Sequence, residues 1–174
     1  MTGSTMTDEW TRQSQANEEN RPVQMESKSS ARLLKLADLY GRLALGAAFL
    51  SAVADRFGLW GAYGKPHVAW GDFAHFTRYT GMVNSFLPAR VIPVLAWLAT
   101  IAETVFGVGL IVGIYRRVMT LGSAVLLLLF ALAMATSLGI KAPLDYSVLS
   151  ASAAALLLFV IERNLKSGAK EAGK

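Results

Sequence analysis

The stretch from Val118 to Gly139, VMTLGSAVLLLLFALAMATSLG, holds no charged side chain over 22 residues. A helix needs about 20 apolar residues to cross the hydrocarbon core of a bilayer. Nothing else in the chain constrains its fold as tightly. Three further apolar runs accompany it, at 39–60, 91–115 and 146–161. The last is short, so it stands nearly upright or has shallow ends. Pro93 falls in the first turn of the second run, where proline is tolerated. Pro143, in IKAPLD, predicts a turn between the third run and the fourth. The expected fold is all-α: an integral membrane four-helix bundle.

The first two spans are separated by GAYGKPHVAWGDFAHFTRYTGMVNSFLPAR. Phe73, Phe76, Thr80, Val83 and Leu87 recur there at helical spacing. This predicts a short amphipathic helix lying in the membrane interface and ended by Pro88. Trp60, Tyr63, Trp70 and Tyr79 around it suit the headgroup region.

Composition agrees. Hydrophobic residues make up 53% of the 174 and charged ones 17%, against about 25% charged in soluble domains. The charges gather at the termini and in short loops. Residues 1–30 are polar, without an apolar period, and predict a disordered cytoplasmic tail. Residues 31–163 form the transmembrane domain, and 164–174 a basic tail. Lys28, Arg32 and Lys35 before an apolar run and AVA at 52–54 imitate a signal peptide. The 35 residues in front are too long for its n-region.

Ten basic residues (Lys28, Arg32, Lys35, Arg42, Arg116, Arg117, Arg163, Lys166, Lys170, Lys174) fall on the side of the termini. Five (Arg56, Lys65, Arg78, Arg90, Lys141) fall on the other. The positive-inside rule then puts both termini in the cytoplasm. The net charge of +5 is read as topology and lipid headgroup contact, not nucleic-acid binding. There is no cysteine, which removes disulfides and thiolate metal sites. His67 and His75 stand eight apart, a poor metal spacing on one helix. No metal site is expected.

Glu103 sits in the middle of the second span. An ionised acid at the bilayer centre costs on the order of 3 kcal/mol. Protonation, a cationic partner or a wet cavity would lower that cost, and each requires the side chain to face the bundle. Ala96, Ala99, Thr100 and Gly107 share its helix face, and small residues there admit a close neighbouring helix. Arg56 is the sharpest candidate partner. Depth counted from the span ends leaves a gap of ~12 Å between the two, which extended side chains barely bridge. A hydrogen bond to Ser or Thr competes with a direct ion pair. Asp55, Arg56, Thr100, Glu103, Ser137, Asp145 and Ser150 together predict a polar pocket in the outer half of the bundle, with the interfacial helix over its mouth. Gly107, Gly109 and Gly113 lie inside a membrane helix and make no phosphate loop.

GRLALGAAFLSAVADRFGLWG, FTRYTGMVNSFLPARVIPVLAWLATIAETVFGVGLIVG, the YRR turn and PLDYSVLSASAAALLL, in this order, resemble the DoxX/DoxD-like family of small four-helix membrane proteins. The resemblance covers about residues 38–161. It implies a four-helix bundle in a bacterial or archaeal inner membrane, and a link to redox physiology, since the family includes a subunit of thiosulfate:quinone oxidoreductase and partners of oxidative-stress enzymes. It maps the family's acid to Glu103 and its basic position to Arg56. No quinone-binding residue carries over, and relatives that use thiols are a poor guide to a chain without cysteine.

Three functions stay open. One is an accessory subunit of a membrane redox system with a soluble or membrane oxidoreductase partner; quinone is the one cofactor suggested, and no haem, flavin or iron–sulfur ligands are identifiable. A second is a small-solute or proton pathway through Glu103, which would require a homo-oligomer. The third is a structural or assembly protein without independent catalysis, where Glu103 fixes helix register. The bilayer is a partner in all three.

Overall fold

The computed structural model describes the backbone of residues 4–171 and the side chains of 29–164. Its described residues are helical or irregular, with no strand among them. The helices are α1 (Ser4–Arg56), α2 (Phe73–Val83), α3 (Ile92–Val112), α4 (Arg116–Leu138), α5 (Lys141–Asp145) and α6 (Val148–Glu171), with a 3₁₀ turn at Ala89–Val91 before α3. Two compact units are distinguished, residues 1–37 and residues 38–174. The described part of the first belongs wholly to α1. The expected tail over 1–30 falls mostly on residues whose side chains lie outside the described set.

Among the described residues, three helices are long and apolar enough to cross a membrane: Ser29–Arg56, Ala89–Val112 and Arg116–Leu138. The α6 helix packs extensively on α4, and α3 packs on α4 and α2. Several boundaries differ from the sequence reading. The first span ends at Arg56 rather than 60, because a left-handed Gly58 (φ 73°) turns the chain. The second ends at Val112, where Gly113 (φ 78°) caps it and donates its amide to the Gly109 carbonyl. Arg116 and Arg117 therefore open α4 instead of forming the turn. The segment expected as a turn around Pro143 is the one-turn helix α5. Proline sits in its first turn, where it has no amide bond to forfeit.

One face of α3 carries Val94, Leu98, Ile101, Val105, Val108 and Val112, all exposed. The opposite face carries Ala96, Ala99, Thr100, Glu103 and Gly107, all buried. A helix that turns its branched apolar side chains outward and its carboxylate inward is arranged for lipid. Close approach of α1 explains the small residues. A Cβ on Gly46 would lie 2.8 Å from the carbonyl oxygen of Gly107, and one on Gly107 3.2 Å from that of Gly46. The two backbones cross where neither residue has a side chain.

The core has two parts. Leu45, Phe49, Leu110, Ala124, Ala155 and Leu158 join α1, α3, α4 and α6. Nearer the α2 end, Phe76, Ala96 and Ala99 pack with Trp70, Phe73 and Phe130.

Candidate functional site

Arg56 is the last residue of α1 and is only 2% exposed. Its Nη2 donates to Glu103 Oε2 at 2.6 Å. Its Nη1 donates to Thr100 Oγ1 at 2.9 Å. The Thr100 hydroxyl itself donates to the Ala96 carbonyl at 2.8 Å. Glu103 is likewise 2% exposed. Each buried charge thus has an opposite charge or a polar group against it, the condition for keeping an ion pair out of water.

The predicted 12 Å gap is absent, and the helix ends explain why. The depth count set the outer ends of the first two spans at one level. The hydrogen bonds instead put the end of α1 level with Thr100, eight residues into α3 and so ~12 Å along its axis. The chain after Arg56 then climbs back over the site. Asp55 Oδ2 accepts the amides of Ala69 and Trp70, both at 2.9 Å. That carboxylate pins the 57–72 loop to the end of α1 and brings Trp70 over Arg56.

The roof is aromatic. The Arg56 guanidinium carbon lies 3.6 Å from the ring centroid of Phe76 and 5.3 Å from that of Trp70. Both distances allow cation–π attraction, which strengthens when desolvated. Trp70 meets Phe76 edge-on at 5.1 Å and lies 5.8 Å from Tyr79. Burial, with a contribution from Tyr146, pushes the Tyr79 phenol above its ordinary range. Asp72 caps α2 by accepting the His75 amide at 2.8 Å. The His75 ring contacts the same carboxylate through Nδ1 and stacks on Tyr63 at 3.8 Å. Two buried polar atoms at the site are unpartnered, Arg56 Nε and Asp55 Oδ1.

Of the seven residues expected in a pocket, Arg56, Glu103 and Thr100 are in direct contact, and Asp55 adjoins them through the loop. The other three are elsewhere. Ser137 pairs with Ser85 at 3.2 Å. Asp145 is exposed and paired with Lys141. Ser150 is exposed near the start of α6. Their common depth in sequence did not give a common direction. Phe76 was read as apolar interface and Trp70 as a headgroup anchor; their stacking on Arg56 depends on the loop fold and has no local signal.

A second polar cluster lies at the other end. Arg42 Nε donates to Asp38 Oδ2 at 3.0 Å and Arg42 Nη1 to the Leu110 carbonyl at 2.9 Å. Arg116 Nη1 donates to Glu162 Oε1 at 2.9 Å, and its Nε reaches the Gly113 carbonyl at 3.3 Å. Asp38, Arg42 and Glu162 are all buried. The sequence reading counted Arg42 and Arg116 only as topology signals. The i, i+4 spacing of Asp38 and Arg42 was an available sign of pairing.

Compared with known proteins, residues 37–137 match the family model DoxX. The matched segment contains Arg56, Thr100 and Glu103 and stops before α6. No curated protein and no solved structure gives a significant match.

Proposed function

This chain belongs to the DoxX family, and on that premise we propose that it is an accessory subunit of a membrane-associated, quinone-linked redox system, without independent catalysis. In this reading α6 is a fourth crossing beside the three longer apolar helices. Both termini face the cytoplasm of a bacterial or archaeal cell. The short helix α2 lies in the outer interface as a lid. The packing of α6 on α4 and its uncharged run from Val148 to Ile161 support the fourth crossing.

The observation that carries the reading is the surroundings of Arg56. A quinone ring is flat, apolar on its faces and a hydrogen-bond acceptor at its two carbonyls. Arg56 offers a buried Nε–H with no partner, on a guanidinium roofed by the rings of Phe76 and Trp70. Glu103 and Thr100 hold the guanidinium in place from the opposite side. Entry of a ring requires Trp70 and Phe76 to part, which motion of the 57–72 loop on its Asp55 tether would permit. Electrons reach the ring from the partner oxidoreductase, since this chain has no cysteine with which to bind a thiolate-ligated cluster.

Purification in mild detergent from native membranes, with mass spectrometry of proteins and quinones, tests this. The expected result is a co-purifying oxidoreductase and a retained quinone. Arg56→Lys should keep the pair with Glu103 but lose the quinone, because lysine lacks the planar head and the Nε–H. Wild-type protein carrying neither quinone nor oxidoreductase would overturn the proposal.

The direct bonding of Arg56 to both Glu103 and Thr100 favours a second reading, in which the pair only locks α1 to α3. There, Arg56→Lys and Glu103→Gln would change melting temperature and nothing else. The proton-pathway reading has less support. Glu103 and the Leu110 carbonyl are seven residues apart, ~10 Å, and Leu45, Phe49 and Leu110 fill the core beyond.

A further inference from the structure

Two cavities meet at the α3–α4 turn. One is polar, about 380 Å³, and is bordered by Gly113, Tyr115, Arg116 and Glu162. The other is an apolar groove of about 570 Å³ that follows α4 along Val118, Leu121, Val125 and Leu129. Phe106 of α3 and Phe159 of α6 stand at its sides. Arg117 and Val118 line both. The combined shape is a charged head joined to a long apolar tail.

We propose that this composite site binds one anionic phospholipid, its phosphate on Arg117 and one acyl chain in the groove. Three observations select that occupant. The first is charge. Arg42 and Arg116 are engaged with Asp38 and Glu162, which leaves the exposed Arg117 as the uncompensated cation of the head region. No partner for Arg117 occurs among the described residues. The second is length. From Arg117 to Leu129 the helix rises ~18 Å, slightly more than one leaflet of a core roughly 30 Å thick. An acyl chain spans one leaflet. The third is continuity. Arg117 stands where the polar cavity passes into the groove, so a phosphate there has its own chain directly beneath it. A basic site at the membrane surface between helices is the usual design for binding an acidic headgroup.

The site is separate from Arg56 and does not rest on the redox reading. Arg42 is fourteen residues from Arg56 on α1, ~21 Å along the axis, and it bonds Leu110 beside this turn.

The test uses the full chain in detergent, with melting temperature and native mass spectrometry as readouts. The probes are dioleoyl phosphatidylglycerol, dioleoyl phosphatidylcholine and inorganic phosphate. Phosphatidylglycerol should be retained one per chain and raise the melting temperature more than phosphatidylcholine. Inorganic phosphate should do neither. Arg117→Gln, at an exposed position, should reduce the preference for phosphatidylglycerol about fivefold, the effect of one basic side chain at an anionic surface. Val125→Trp should fill the groove and weaken retention of both lipids. Equal response to the two lipids, an unchanged preference in Arg117→Gln, or a second protein chain occupying the groove would each overturn the proposal.

Discussion

Two regions of the molecule, the α2 end and the α3–α4 turn, each hold buried arginine and buried carboxylate, yet they are built differently. At the α2 end Arg56 and Glu103 come from separate helices, 47 residues apart in the chain, and both side chains are about 3% exposed. Aromatic rings close over them. At the α3–α4 turn Asp38 and Arg42 belong to one helix, and Arg116 is 44% exposed while Glu162 is 3%. The same chemical pairing therefore has two energetic meanings. Where both partners are dry, each depends on the other for its charge. Where one partner remains wet, water stands in for the lost contact.

The largest expected effect breaks the dry end. Arg56→Ala leaves Glu103 buried without its cation and should cost about 3–5 kcal/mol. Equilibrium unfolding in micelles measures it. Replacing both residues, Arg56→Met with Glu103→Leu, should recover most of that loss, because the isolated charge disappears with its partner. A single substitution as mild as one in a solvated pair, or a double as damaging as the single, would show that the pair is not sealed from water.

A smaller effect sharpens the contrast at the other end. Glu162→Gln leaves Arg116 facing solvent and should cost about 1 kcal/mol or less. Raising the salt concentration should narrow the difference between this variant and wild type, and should leave the Arg56→Ala deficit unchanged. Parallel unfolding curves at low and high salt measure both. A salt-independent Glu162 deficit would place Arg116 in a drier setting than its exposure implies.

The smallest effect concerns the cap of α2. The His75 amide and ring hold the Asp72 carboxyl below its ordinary range. A folded-state value below the unfolded one makes the cap's contribution complete above about pH 4, the unfolded carboxylate value. It is lost as pH falls through the lower folded value. Order in α2, followed by hydrogen exchange, should therefore be constant from pH 7 to 5 and fall only under stronger acid. Asp72→Ala should abolish that acid step. A step between pH 5 and 7 would show that the Asp72 carboxylate does not set the acid response of α2.

Much of the fold was legible because lipid imposes simple rules. Long uncharged runs gave the apolar helices, and the period of Phe73, Phe76, Thr80 and Val83 gave α2. Small residues beside Glu103 gave its inward direction, since a carboxylate and a close-packed glycine are both excluded from a lipid-facing stripe. The candidate site was half legible. Arg56, Glu103 and Thr100 were named as neighbours, whereas Ser137, Asp145 and Ser150 share only their depth. Depth follows from position along a helix. Direction depends on its rotation, and a short polar side chain does not fix rotation when its own backbone can satisfy it, as for Thr136 bonding Leu132.

The sequence by itself determined that this chain is a set of apolar helices with one acid turned inward, because hydrophobic length and the cost of charge in lipid are local properties. Only the tertiary structure decided that α1 stops two turns below the start of α3, that Asp55 draws the loop back, and that Trp70 and Phe76 cover Arg56. Those facts depend on where helix ends lie relative to one another. That is set by packing between segments distant in the chain, such as the Gly46–Gly107 crossing, and no window of residues contains it.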